Sequence, residues 1–251
     1  MQKLISLPLN TILICVLLVF PASILISDEP SLSNTPSIAD VVLSSATVPF
    51  IENQGQTDSA VKFYADTFAG KIYVTDESLT YALHNYVIKE KFGSALVPDG
   101  LTPSSTVVNY FKGEQKDWRQ NVPTFNGITL GSPYSGISVD LIARHNNVEK
   151  IFTVLPYYNP SDISVLVEGA DSITISNDGK LQLHTSMGIL EMTAPVAYQN
   201  IDGMKKDVSV SYVVSGNTYG FELGSYDKRY KLVIDPLLAS TFLGASGNNV
   251  K

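Results

Sequence analysis

ISVDLIARHNNVEKIFTVL, residues 137–155, decides the fold class. Two runs rich in Val, Ile and Phe, interleaved with polar residues, flank Asn146-Asn147. Period-two alternation marks a strand with one buried face, and asparagine tolerates the left-handed backbone that a tight turn requires. The stretch therefore reads as a β-hairpin with Asn146-Asn147 at its tip. Arg144 and Lys150 stand near Asp140 and Glu149 on this hairpin and are placed to pair with them, which makes a solvated charged face the simplest reading. A glycosidase would need two such acids at a defined separation, and sequence position alone does not supply one.

The pattern extends in both directions. SITISNDGKLQLHT (residues 172–185) sets Asp178-Gly179 between two alternating runs, and VAYQNIDGMKKDVSVSYVV (196–214) repeats the device at Asp202-Gly203. Asp-Gly is the strongest short hairpin signal. YGFELG (219–224) and KLVIDP (231–236) follow. Upstream, VKFYA (61–65), KIYVT (71–75), LTYAL (79–83) and TVVNYF (106–111) have the same character. Helical periodicity never persists beyond about three turns, too short to outweigh the strand signal.

Many short strands with regular turns predict an all-β domain of antiparallel β-sandwich type. Tyr64, Tyr73, Tyr81, Phe111, Trp118, Phe125, Phe152, Tyr198, Tyr212 and Phe221 are expected to fill much of its core. PYYNP at 156–160 offers a boundary at which the domain would divide into two packed lobes.

The N-terminus carries an address. Lys3 is the only charge before Asp28, and ILICVLLVF (12–20) is an unbroken apolar run. This predicts a signal peptide over residues 1–27, with an uncleaved anchor helix as the alternative. A flexible Ser/Pro/Asp linker over 28–47 leads to the all-β domain over 48–237. The expected location is extracellular or cell-surface, with membrane contact only through the N-terminal segment. The single cysteine, Cys15, lies in the apolar run, so the exported part must be stabilised without disulfides.

Composition narrows the function. Charged residues are 16% and apolar residues 44% of the 251, a globular balance. The net charge is −7 and lysines and arginines do not cluster beyond GMKKD (203–207), which argues against nucleic acid as a partner.

The phrases FIENQGQTDSAVKFYA (50–65), NYFKGEQKDWRQNVPTFNGI (109–128), SPYSGISVDLI (132–142), VEKIFTVLPYYNPSDISVLVEGADSITI (148–175), PVAYQNIDG (195–203) and LVIDPLLASTFLGASGNN (232–249) occur in an order that resembles a known family. It is an N-terminal all-β domain of uncharacterised function found ahead of SBBP repeats, β-propeller-like units of secreted bacterial and archaeal surface proteins. The chain departs from it with Ser135 where proline is usual and with Ser138-Val139 inserted before Asp140. The resemblance implies downstream propeller repeats or other surface proteins as partners. It also implies that residues 238–251 begin a truncated SBBP-like repeat. One partial blade cannot bury its apolar face alone, so the chain is expected to be a fragment, a shortened reading frame or a paralogue without its repeats.

Candidate chemistry is sparse. Asn53, Gln54, Gly55 and Gln56 read as a structural turn, because amides bond backbone well and do not serve as acids, bases or nucleophiles. His84, His145 and His184 are scattered without zinc-ligand spacing, and GSPYSG (131–136) is not a nucleophile elbow. Asn200, Asp202 and Asp207 form a Ca²⁺ candidate of hard oxygen ligands around a Gly turn, and Asn177 and Asp178 offer a second, though neither matches an EF-hand loop and the hairpin's own preference for Asp-Gly explains both; otherwise no cofactor is expected. Trp118, Tyr157 and Tyr158 are candidate platforms for a glycan. The leading reading is a non-catalytic extracellular structural or interaction module. A carbohydrate-binding module and an extracellular polymer hydrolase are the alternatives.

Overall fold

A computed structural model of the chain describes residues 48–67, 70–83, 86–145, 147–238 and 243–244. The leader, the linker, His84, Asn146 and most of the stretch after Leu238 lie outside the described residues. Among the described residues, no helix is long and apolar enough to cross a membrane; the helices there are two single 3₁₀ turns, Gln115–Asp117 and Pro160–Asp162.

Five strands open the domain: β1 (Phe50–Glu52), β2 (Val61–Thr67), β3 (Gly70–Thr75), β4 (Leu79–Leu83) and β5 (Tyr86–Lys91). A long pair follows, β6 (Asp99–Tyr110) and β7 (Arg119–Thr129), then the hairpin β8 (Ile137–Arg144) and β9 (Asn147–Val154). Next come β10 (Val165–Glu168), β11 (Ser172–Ile175), β12 (Leu181–Thr185) and β13 (Gly188–Met192). Then come β14 (Val196–Ile201), β15 (Met204–Val208), β16 (Val210–Ser215) and β17 (Thr218–Leu223). The last are β18 (Leu232–Asp235), β19 (Leu237–Leu238) and β20 (Leu243–Gly244).

The fold is all-β and antiparallel. One large sheet runs β15-β14-β18-β9-β8-β7-β1-β2-β3-β4-β5-β10-β17-β16, with β6 attached to β7 and β19 to β9. A small sheet, β11-β12-β13-β20, accompanies it. The two ends of the long path, β15 and β16, are consecutive in sequence with only Ser209 between them. The sheet must therefore come round on itself into a near-barrel. The strands on either side of residues 156–160, β9 and β10, belong to this same sheet.

Alternation decides which side chains fill the interior. In β9, Val148, Lys150, Phe152 and Val154 are buried; in β8, Ile137, Val139, Leu141 and Ala143 are. Ile72, Val74, Leu79, Ile88, Val165 and Ile234 join them in one continuous core. Area buried at about 25 cal/mol per Å² is the main stabilising term for such a core.

Turn chemistry agrees with the hairpin readings, with one shift. Asp202 and Gly203 both have positive φ (52° and 79°), the requirement of the two-residue turn that matches strand twist. At the β8–β9 tip the left-handed residue is His145 (φ 54°), and Arg144 pairs with Asn147. Asn147 is thus already a strand residue rather than half of the tip.

Three expected core aromatics lie outside the buried clusters, among them Tyr198, which is half-buried on the β14–β15 hairpin. Phe111 is 60% and Trp118 37% exposed, and they pack edge to face on each other with centroids 5.1 Å apart. They flank the turn between β6 and β7, where β6 lies off the main strand path, pairs with β7 and exposes most of its residues.

Candidate functional site

Among the described residues, one ion pair has both side chains in the interior. Glu90 of β5 is fully buried and the Lys150 side chain of β9 is 3% exposed. Lys150 Nζ donates to Glu90 Oε2 at 2.5 Å and to the Tyr219 hydroxyl oxygen at 2.7 Å. Tyr219 of β17 in turn donates to Glu90 Oε1 at 2.7 Å, and Tyr81 of β4 donates to Oε2 at 2.8 Å. Both carboxylate oxygens and the ammonium are therefore bonded within a ring of four side chains. The Lys150 ammonium also stands 5.4 Å from the Tyr219 ring centre and 6.0 Å from that of Phe92. Tyr212 packs edge to face on Tyr219 and donates its own hydroxyl to Thr193 O.

Each member is there because its strand's parity points it inward. Glu90 shares a face with Ile88, Tyr81 with Leu79 and Leu83, and Tyr219 with Phe221. Burial lowers the Lys150 pKa from its ordinary value, with the Glu90 charge acting against that shift. Burial first, then the Glu90 charge, raises the hydroxyls of Tyr81, Tyr219 and Tyr212 well above the ordinary tyrosine value. The pairing of Lys150 with surface acids is corrected here: Lys150 faces the core, while Arg144 alone takes Glu149, at 2.8 Å. Adjacent strand residues point to opposite faces, so Glu149 and Lys150 cannot serve the same side.

The amide knot joins β1 to β2. Asn53 Oδ1 accepts from the backbone of Gly55 and Thr57, and its amide donates to Asp58 O and Val61 O. Gln56 Oε1 accepts from the Gln54 backbone at 2.7 Å, and its amide donates to Glu52 O and the Tyr64 hydroxyl. Arg119 donates to Gln54 O at 2.6 Å, and Gly55 has φ 99°. These amides are engaged in holding the loop.

Of the three aromatic candidates, Tyr157 and Tyr158 are neighbours in the connection after β9, and Trp118 lies elsewhere. Trp118 belongs to the β6–β7 turn. Tyr157 is 75% exposed at φ 69°, and its N–H donates to Lys228 O. Tyr158 lays its ring over Gly136, where an added Cβ would come within 2.2 Å of Cγ. Gly136 is thus required both for its φ of 65° and for its missing side chain.

Asn200 and Asp207 lie on one face of the β14–β15 hairpin, across from Lys205 and Tyr198 respectively. The Lys205 ammonium sits 4.1 Å from the Tyr198 ring centre on that same face. Asp202 is in the turn. Among the described residues, no group of three or more His, Cys, Asp or Glu side chains is placed to hold a metal ion. Asp178 bonds Ser176 at 2.5 Å and pairs with Lys180.

Sequence reasoning also missed an open groove of about 740 Å³ between the β14–β15 hairpin and the 225–230 loop. Gln199, itself buried, holds that loop: its amide donates to Asp227 O, Tyr230 O and Lys231 O, and its Oε1 accepts from the Asp227 N–H. Arg229 grips Asp227 through a forked contact and pushes its carboxyl down to about 2. Asp202, Lys206, Asp207, Tyr226 and Tyr230 also line it.

Fold and site together define an antiparallel, near-barrel β domain with a sealed polar centre and a polar surface groove. Residues 93–237 match the family described as Domain of unknown function (DUF7948), and the chain belongs to that family. The matched region contains Lys150, Tyr212 and Tyr219, while Glu90 and Tyr81 lie just ahead of it. Comparison with curated proteins and with solved structures gives no match.

Proposed function

We propose that this protein is a non-catalytic structural and interaction module exported to the cell surface. One observation carries the reading: the buried ionisable groups Glu90, Lys150, Tyr81 and Tyr219 are hydrogen-bonded to one another inside the core. Groups closed off in this way brace opposite walls and do not reach a polymer substrate. The walls bearing β5 and β9 act as the two layers of a sandwich, tied at the centre. The apolar leader supports export, and the resemblance to domains that precede SBBP repeats supports a place at the head of a propeller protein, with those repeats or neighbouring surface proteins as partners. Incubation of the purified protein with extracellular polysaccharides and peptides should generate no new chain ends; turnover of any of them would refute the proposal.

The groove favours a second reading, carbohydrate binding. It sets tyrosines beside charged and hydrogen-bonding side chains, and Tyr157 stands next to the Lys228 segment of its wall. A glycan array with Arg229→Ala, Tyr157→Ala and Trp118→Ala variants tests it. Binding lost with the first two and kept with the third would locate the ligand in the groove.

A further inference from the structure

The buried ring around Glu90 has a chemical potential that a simple brace does not require. Lys150 Nζ lies 2.5 Å from Glu90 Oε2, so the amine is held directly against the carboxyl group. Tyr219 bridges the same two residues, accepting from Nζ and donating to Oε1. Tyr81 holds Oε2 independently. Phe92 and the edge-to-face Tyr212–Tyr219 pair line the surroundings, and both reacting side chains are shut off from solvent. A desolvated lysine is the form of that residue that acts as a nucleophile.

We propose that Glu90 and Lys150 condense into an intramolecular isopeptide bond that covalently ties β5 to β9. The new bond joins Nζ to the Glu90 carboxyl carbon, and the bond that breaks is between that carbon and Oε1. Of the three protons on the ammonium, one stays on the amide nitrogen and two leave with Oε1 as water. Tyr219 relays a proton from Nζ to Oε1, which turns a poor leaving oxygen into water. Tyr81 stabilises the negative charge that develops on Oε2 in the tetrahedral intermediate and then bonds the amide oxygen. The charges of the pair cancel in the product, so no ion remains in the core. No oxidant, metal or nucleotide is consumed. Burial favours the neutral amine that must attack, which agrees with the lowered pKa of Lys150. Proximity in a fixed geometry replaces the activation that amide formation needs in water.

The inference stands on the buried geometry and not on the module reading, since a carbohydrate-binding or a catalytic protein could carry the same link. Its test is mass spectrometry of the full chain after folding. The folded protein should be lighter by one water than its sequence predicts. Its tryptic digest should lack cleavage after Lys150 and contain a branched species, residues 145–180 joined to Glu90-Lys91. A digest with ordinary cleavage after Lys150 and no branched species overturns the proposal. Tyr219→Phe, checked for native circular dichroism, separates mechanism from folding: folded variant with the full, unlinked mass supports the relay. A folded variant that links as completely as wild type overturns the role given to Tyr219.

Discussion

Glu90 on β5 and Lys150 on β9 meet inside the sheet with Nζ 2.5 Å from Oε2, although six strands separate β5 from β9 along the pairing path. Only a sheet that curls back on itself brings those positions together. The contact is therefore a marker of closure as well as a source of it. Tyr219 reinforces the closure because β17 lies two strands beyond β5 on the far wall and still reaches Lys150 at 2.7 Å.

Alkaline pH should open this centre. Tyr81, Tyr212 and Tyr219 have hydroxyls raised above the ordinary value of 10.0. Above that value the unfolded chain loses tyrosine protons that the folded chain keeps, so stability falls as pH rises. Each such tyrosine steepens the decline by about 1.4 kcal/mol per pH unit. Urea unfolding midpoints measured from about pH 9 to about pH 11 should drop steeply over this span, and Tyr212→Phe should make the drop shallower.

Replacing Asn53 with Ala should loosen the β1–β2 connection. The substitution removes two acceptor and two donor contacts to backbone, and Val61 O loses its side-chain partner where β2 begins. A loss of about 1–2 kcal/mol is expected from denaturant unfolding, with faster amide exchange at Gly55 and Thr57. Asn53→Asp should recover the acceptor contacts and only part of the stability.

Gln199→Leu should release the groove wall without removing core volume. Gln199 supplies the buried anchor for Asp227, Tyr230 and Lys231. Hydrogen exchange should rise in residues 225–231 and stay unchanged in β4 and β5. The Asp227 carboxyl is depressed to about 2 by Arg229. Its contribution to loop order is thus complete above the ordinary value of 3.8 and is lost as pH falls through about 2. Asp227→Asn should abolish that acid response.

Much of the fold was legible because alternation and Asp-Gly turns are local signals. The inward parity of Lys150 is written in the alternation as well, although its charge points the reading to a solvated face: it sits between Val148 and Phe152 in the buried register, just as Glu90 follows Ile88. Two opposite charges at core positions of two strands are the sequence trace of a buried pair. What no local signal carries is the order of strands, with β1 inserted between β7 and β2, and that order is what faces β5 toward β9. The groove escaped for the same reason, since Gln199 and Asp227 meet only after β18 has paired with β14. Phe111, Trp118 and Tyr198 show that aromatic content is not by itself core content. β6 breaks alternation, with Pro103 in its middle and repeated register shifts against β7, so hydrophobicity there says little about burial.

The most direct measurement is a double-mutant cycle on the buried pair, read by equilibrium unfolding of wild type, Glu90→Leu, Lys150→Met and the two combined. Either single change strands a charge in the core and should cost about 3–5 kcal/mol, whereas the combined variant, with neither charge left, should be more stable than both singles. Losses that simply add in the combined variant, or singles that unfold like wild type, would contradict a sheet tied across its interior by Glu90 and Lys150.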